Sequence, residues 1–205
     1  MATFATAQKV GIFGRLWSSY LVALRVRPIR TRMISGVITA SIADSIAQFG
    51  FEKRSLIGSD GDKSKSWDAL RTLRLCTYTG ILFAPVLYQW LGLQQKVVVG
   101  GAVTTLLARL GMDYTIFFPF SAIYFPIMMG SLEGKSIDEI KQKIQLQLYP
   151  TWQRACLVFG PTQLVNLTLV PPQHRILMLQ TVGLCWVVYL SWLNNSANKQ
   201  LHEVA

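Results

Sequence analysis

Four ionisable side chains stand inside or at the edges of apolar stretches: Asp44, Arg74, Arg109 and Asp113. A charge at the centre of a bilayer costs roughly 2.5–3.5 kcal/mol on insertion scales, so such a group turns toward a partner or toward water. Asp44 and Gln48 share a helix face at i, i+4, and Arg109 and Asp113 have the spacing of an intrahelical ion pair. Gln163 and Asn166 add uncharged polar groups at i, i+3. Two kinds of work fit this set. The groups could line a hydrated path for small polar solutes, or they could bind helices together by hydrogen bonds and ion pairs. Asp44 lies deepest in its stretch and is the strongest candidate for the first role, with Gln48, Arg74, Arg109, Asp113 and Asn166 as further pore-lining or gating residues.

Nothing else in the sequence suggests chemistry. Phosphate-binding glycine loops, a G-x-S-x-G elbow, H-E-x-x-H and paired C-x-x-C are absent. Two histidines, His174 and His202, are too few for a histidine-based metal cluster. Cys76, Cys156 and Cys185 sit one in each of three apolar stretches, as small buried hydrophobes rather than a disulfide framework. No enzyme activity, metal or cofactor is expected.

The elements that must position these groups follow from where charge is missing. The 205 residues are 51% hydrophobic and 15% charged, with a net charge of +10. Typical soluble domains carry about 25% charged residues, and disordered chains combine low hydrophobicity with high charge. No charge occurs in residues 75–95, 114–132, 155–174 or 176–198, and residues 33–51 carry only Asp44. Each run approaches the ~20 residues a helix needs to cross a bilayer core of about 30 Å. The expectation is an all-α polytopic membrane helix bundle of about four transmembrane spans, with membrane lipid and small-molecule solutes as partners. Because the bases flank apolar spans instead of gathering on one domain, they suit anionic lipid rather than nucleic acid.

Residues 1–32 form a basic N-terminal segment in which Leu16, Trp17, Tyr20, Leu21 and Leu24 give an amphipathic helix. No acid precedes Asp44, a pattern typical of mitochondrial targeting. A transmembrane domain spans residues 33–193, with a polar loop at 52–66 and an interfacial helix at 136–149 that opens on the capping box Ser136–Glu139 and shows Ile137, Ile140, Ile144 and Leu148 on one face. Residues 194–205 form a C-terminal tail. In the first span Gly36, Ala40, Ala43 and Ala47 make a narrow stripe of small residues suited to close packing of helices or protomers, so a homo-oligomer is conceivable, while Ile38, Ile42, Ile46 and Phe49 face lipid. One long helix is expected from about Lys96 to Gly130, kinked at Pro119 and Pro126. Residues 155–170, broken at Gly160-Pro161, form either a full span or a re-entrant element ending at Pro171-Pro172.

The chain resembles the peroxisomal 22-kDa membrane protein family, which includes the mitochondrial inner-membrane protein linked to mitochondrial DNA depletion. The resemblance rests on Trp17, Tyr20, Leu21, Leu24, Pro28 and Thr31; on Asp44 and Gln48 of a D-x-x-x-Q element; on Asp68, Arg71 and Arg74 of D-x-x-R-x-x-R; on Leu132 to Ser136, reading L-E-G-K-S; and on Pro161, Gln163, Asn166, Val170-Pro171, Arg175, Trp186 and Tyr189-Leu190-Ser191. The chain departs from the family where a D-Q pair becomes Asp113-Tyr114, where the tryptophan of W-P becomes Gly160, and around Ala84-Pro85. The resemblance implies four spans, residence in the mitochondrial inner membrane or alternatively the peroxisomal membrane, and a role in small-solute permeability and organelle homeostasis. The expected function is a channel-like organelle-membrane protein that passes small metabolites and supports mitochondrial homeostasis; the alternative is a non-conducting scaffold that organises partner proteins.

Overall fold

The computed structural model describes residues 11–55, 66–170 and 175–204. Residues 1–10 of the basic N-terminal segment, the larger part of the predicted loop 52–66 and the Pro171-Pro172 stop lie outside them. The described residues fold into six helices: α1 (Ile12–Val26), α2 (Pro28–Phe51), α3 (residues 69–96), α4 (Ala102–Leu132), α5 (Ile137–Thr168) and α6 (Arg175–Val204). The last five are long enough to cover a hydrocarbon core of about 30 Å. Of these, α2 and α4 are also apolar enough throughout to pass as membrane spans on composition.

α1 packs against α2 and turns into it at Arg27, which leaves the helical region at φ −134° and ψ 67°, as a residue before proline is pushed to do. Pro28 opens α2, where the missing N–H has no partner to lose. The Thr31 hydroxyl donates to the Ala23 carbonyl at 2.9 Å across the break, which explains the P-x-x-T spacing.

α2 to α6 pack as a closed ring in which α2 touches α3 and α6, and α4 touches α3 and α5. The small-residue stripe is the tightest seam. Ala40, Ala43 and Ala47 are fully buried, and a Cβ on Gly36 would stand 2.9 Å from the Thr79 carbonyl oxygen of α3. Gly80 answers from the other side, with Met33 and Val37 against it. The stripe therefore packs helices within one chain. Ile38, Ile42, Ile46 and Phe49 point outward, as the sequence suggests.

Prolines are absorbed rather than obeyed. The stretches Tyr78–Phe83 and Asp113–Phe117 widen to π-helix just before Pro85 and Pro119. The extra residue per turn relieves the clash of the proline ring with the preceding carbonyl. α5 runs unbroken through Pro150 and Pro161 for 32 residues. The predicted interfacial helix and the predicted fourth segment are thus one helix, with neighbouring helices packed on it. Its buried line is Lys143, Gln147, Thr151 and Ala155; of the expected apolar face Ile137 is exposed, while Ile140, Ile144 and Leu148 are half-buried beside that line.

Two further boundaries differ from expectation. The long helix expected from about Lys96 is present but begins at Ala102, because α3 ends at Lys96 and Gly100, at φ +58°, carries the turn into α4. Residues 194–204 are not a loose tail: α6 continues to Val204, with Asn194 and Ala197 buried. Between the ends of the ring the interior is filled by aromatic rings. Tyr78 meets Phe125 edge-on at 5.0 Å, Trp90 stacks on Phe117 at 5.1 Å, and Phe159 meets Trp186 at 5.3 Å.

Candidate functional site

Asp44 is brought to its partners by three helices. Gln48, one turn along α2, donates to Asp44 Oδ2 at 2.7 Å. α3 starts nearby because Asp68 caps it, its carboxylate accepting the Arg71 N–H at 2.9 Å. The cap fixes the first turn and so aims Arg71 and Thr72 at α2. Thr72 donates to Asp44 Oδ2 at 2.5 Å, and the Arg71 guanidinium lies 3.0 Å from Asp44 Oδ1. That ion pair is close but its N–H is not aligned for a hydrogen bond. Ser191 of α6 donates to Asp44 Oδ1. Arg71 also donates to Ser191 Oγ at 2.8 Å and to Glu52 Oε1 at 2.7 Å, and Glu52 accepts from Arg54 at 3.0 Å. Two acids and two arginines balance, and Asp44 has no solvent exposure. Gln48 ties the layer to the helix start, accepting the Asp68 N–H at 2.7 Å.

The position of this cluster corrects a sequence-based expectation. Through Arg71 and Glu52, Asp44 belongs to a layer at one end of the bundle, not to its middle. Its carboxylate is also met by donors from three helices and has no exposure to solvent. Arg74, half-buried one turn further along, takes no part in these contacts. Spacing alone could not choose between Arg71 and Arg74, which both follow Asp68 on the same helix.

A second cluster lies at the same end and was missed. The α4–α5 turn reads L-E-G-K-S because Gly134 adopts φ +72°, Ser136 caps α5, and Glu133 points inward. Glu133 accepts from Lys143 at 2.9 Å and from Asn194 at 2.7 Å, and Lys143, wholly buried, also donates to Asn198 at 2.9 Å. Burial pushes the Glu133 carboxyl up, but the Lys143 charge and the hydrogen bonds from Asn194, Lys143 and Asn198 outweigh it and leave the carboxyl below its usual range. Gln147 donates to the Leu193 carbonyl at 3.3 Å. The signal that could have found this cluster is Glu133 within the L-E-G-K-S segment; Lys143 and Gln147 resemble ordinary surface positions.

At the opposite end the expected Arg109–Asp113 ion pair does not form. Arg109 turns back to the Val97 and Gln95 carbonyls at 3.2 and 3.4 Å, where the C-terminus of α3 offers free acceptors. Asp113 instead accepts from Trp90 at 2.8 Å and Gln94 at 2.7 Å across the α3–α4 seam. Asn166, near the far end of α5, is buried, and its side-chain oxygen meets no donor among the described residues. So of the sequence-chosen residues, Asp44 and Gln48 come together, Asp113 and Arg109 are neighbours with different partners, and Arg74 and Asn166 stand apart. No group of His, Cys, Asp and Glu among the described residues could hold a metal ion.

Two departures from the expected family pattern meet in space. Tyr114 of α4 lays its hydroxyl over Gly160 of α5 and donates to the Cys156 carbonyl at 3.2 Å; a Cβ on Gly160 would overlap that oxygen. The aromatic ring absent from α5 is supplied by α4.

A family model described as the Mpv17 / PMP22 family matches residues 130–191, which hold Glu133, Lys143 and Ser191. Protein SYM1 of Kluyveromyces lactis is 33% identical over 170 residues, covering 80% of this chain and 83% of that protein. Protein sym-1 of Neurospora crassa is 31% identical, covering 86% and 98%. The mitochondrial inner membrane protein Mpv17 of Danio rerio is 26% identical, covering 88% and 97%. No solved structure matches the chain.

Proposed function

The chain belongs to the Mpv17/PMP22 family and resides in the mitochondrial inner membrane, and from that premise we propose that it is a gated, channel-like protein of about four spans that passes small solutes and so supports mitochondrial homeostasis. The observation that carries this reading is the enclosed Asp44–Arg71–Glu52 layer. Buried ion pairs are poor stabilisers: replacing them by apolar side chains of similar volume is often neutral or favourable. A bundle built only to hold together has cheaper interiors. Ionisable groups enclosed between helices suit a place that is at times hydrated. Polar layers at both ends with aromatic rings between them describe a shut path whose lock is Asp44 with Arg71.

The test is purified protein in planar bilayers. If Asp44→Asn weakens the shut state by about 1.4 kcal/mol, a rarely open path is populated about tenfold more. Conductance should therefore rise in that variant. Silent bilayers from both proteins, across pH and voltage, would instead support the scaffold reading, which the internal pairing of charges already favours as the second choice.

A further inference from the structure

We infer that the seam between α3 and α4 holds a phospholipid with a primary-amine headgroup, bound by Asp113 and Arg109 with one acyl chain in the adjoining groove. This site is independent of any conduction through the bundle.

Three observations converge. First, Asp113 lacks a cation. Apart from Asp68, which caps α3, it is the acid, among those whose side chains the structure describes, that no lysine or arginine approaches, since the others pair with Arg71, Arg54, Lys143, Lys141 or Lys135. Both of its donors, the Trp90 and Gln94 side chains, meet Oδ1, so neither occupies Oδ2. A carboxylate held by neutral donors near hydrocarbon gains most from a cation supplied from outside.

Second, its depth suits a headgroup. Asp113 precedes Leu132 on one helix by about 28 Å at 1.5 Å per residue, close to the thickness of the hydrocarbon core. The Glu133 cluster marks one boundary, and Trp90 with Asp113 marks the other, where indoles collect.

Third, an apolar groove leads away from this level toward the middle of the membrane. It has a volume of about 290 Å³ and is walled by Val86, Gln89, Trp90 and Leu93 of α3 and Ile116, Phe117 and Phe120 of α4. Leu93 and Ile116 are each more than half exposed, so the groove opens outward to lipid. Trp90 joins the two parts, with its ring on the groove and its N–H on Asp113.

Charge fixes the occupant. An ammonium would meet Oδ2 of Asp113. One turn earlier on the same face stands Arg109, whose Nε and Nη2 reach the Val97 and Gln95 carbonyls and whose Nη1 is left over for a phosphate. Side chains at i, i+4 are about 5–6 Å apart, within reach of an ammonium and a phosphate on a two-carbon tether. A trimethylated choline headgroup has no N–H to donate, and an uncharged glycerol headgroup offers no cation.

The test is native mass spectrometry of the full chain released from mixed micelles with equal amounts of phosphatidylethanolamine, phosphatidylcholine and phosphatidylglycerol. Retention of phosphatidylethanolamine should exceed the other two by about tenfold, the worth of one charge-assisted hydrogen bond. Asp113→Asn should erase the preference and Asp113→Glu keep it, while Ile116→Trp, which fills the groove, should lower retention of all three. Circular dichroism shows whether each variant is folded. Equal retention of the three lipids by the unsubstituted protein, or a preference that survives Asp113→Asn, overturns the inference. So does a tightly held inorganic cation in place of lipid.

Discussion

Arg71 and Asp44 are coupled, and their substitutions should not add. Arg71→Met leaves Asp44 without exposure and facing three neutral donors, Gln48, Thr72 and Ser191, while Glu52 keeps only Arg54. Removing one partner of a buried ion pair costs about 3–5 kcal/mol. Asp44→Asn is milder, since Arg71 retains Glu52 at 2.7 Å and Ser191 at 2.8 Å. Its cost is about 2 kcal/mol, that of an amide NH2 set among donors that had faced a carboxylate oxygen. The double variant has neither orphaned charge and should cost no more than Arg71→Met alone, so the coupling is about 2 kcal/mol. Reversible unfolding in mixed detergent, followed by circular dichroism, measures all four corners of the cycle. Additivity within about 0.5 kcal/mol would mean that the two groups do not sense each other, and the lock would be no lock.

Two more outcomes follow from single residues. The Ser136 N–H, its hydroxyl and Lys135 hold the Glu139 carboxyl down at about 2, against 4.5 without them. A carboxyl lowered on folding contributes stability that is complete above the unfolded value and lost as pH falls toward the folded one. Acidification from pH 5 to about 2 should therefore erode the start of α5, and Glu139→Gln should flatten that limb in thermal unfolding; an unchanged acid slope removes the capping box from the account. Gly160→Trp should overpack the α4–α5 seam by about 1–3 kcal/mol or more, and Tyr114→Gln in the same chain should recover most of the loss in melting temperature, because the two rings contend for one space.

The helical bundle was legible because charge is excluded from lipid-facing length, and runs without charge mark it directly. The outward isoleucines of α2 and its small-residue stripe were legible for the same reason, from a 100° wheel. What the sequence did not show was the polar inner line of α5. Lys143 and Gln147 are buried while Ile137 is exposed. A hydrophobic pattern assumes an apolar interior, and here part of the interior is ionic. The choice of Arg74 over Arg71, and the expected Arg109–Asp113 pair, failed because each depended on a contact between helices. Motif residues fared better than periodicity: Asp44, Gln48, Asp68, Arg71 and Ser191 come from three separate sequence elements and meet at one point.

The seams of the ring are unequal, and the difference says which helix can move. α2 and α3 meet through glycines at backbone distance, and α4 meets α5 where Ile140 presses on Gly130 and Tyr114 covers Gly160. Such close seams cannot part without opening voids, which a packed interior resists. α6 is held differently. Its polar links to α2, α3, α5 and the α4–α5 turn run through Ser191, Asn194, Asn198 and the Leu193 carbonyl, beside the apolar packing of Leu190 and Trp186 in the core. Water can replace hydrogen bonds of that kind at a small net cost. It cannot replace the fit of a glycine against a carbonyl. On the proposed reading, opening is therefore the withdrawal of α6 from its polar partners, drawing Trp186 off Phe159 as it goes. Asp44 and Arg71 would stay on α2 and α3, newly exposed to the water that takes the place of Ser191.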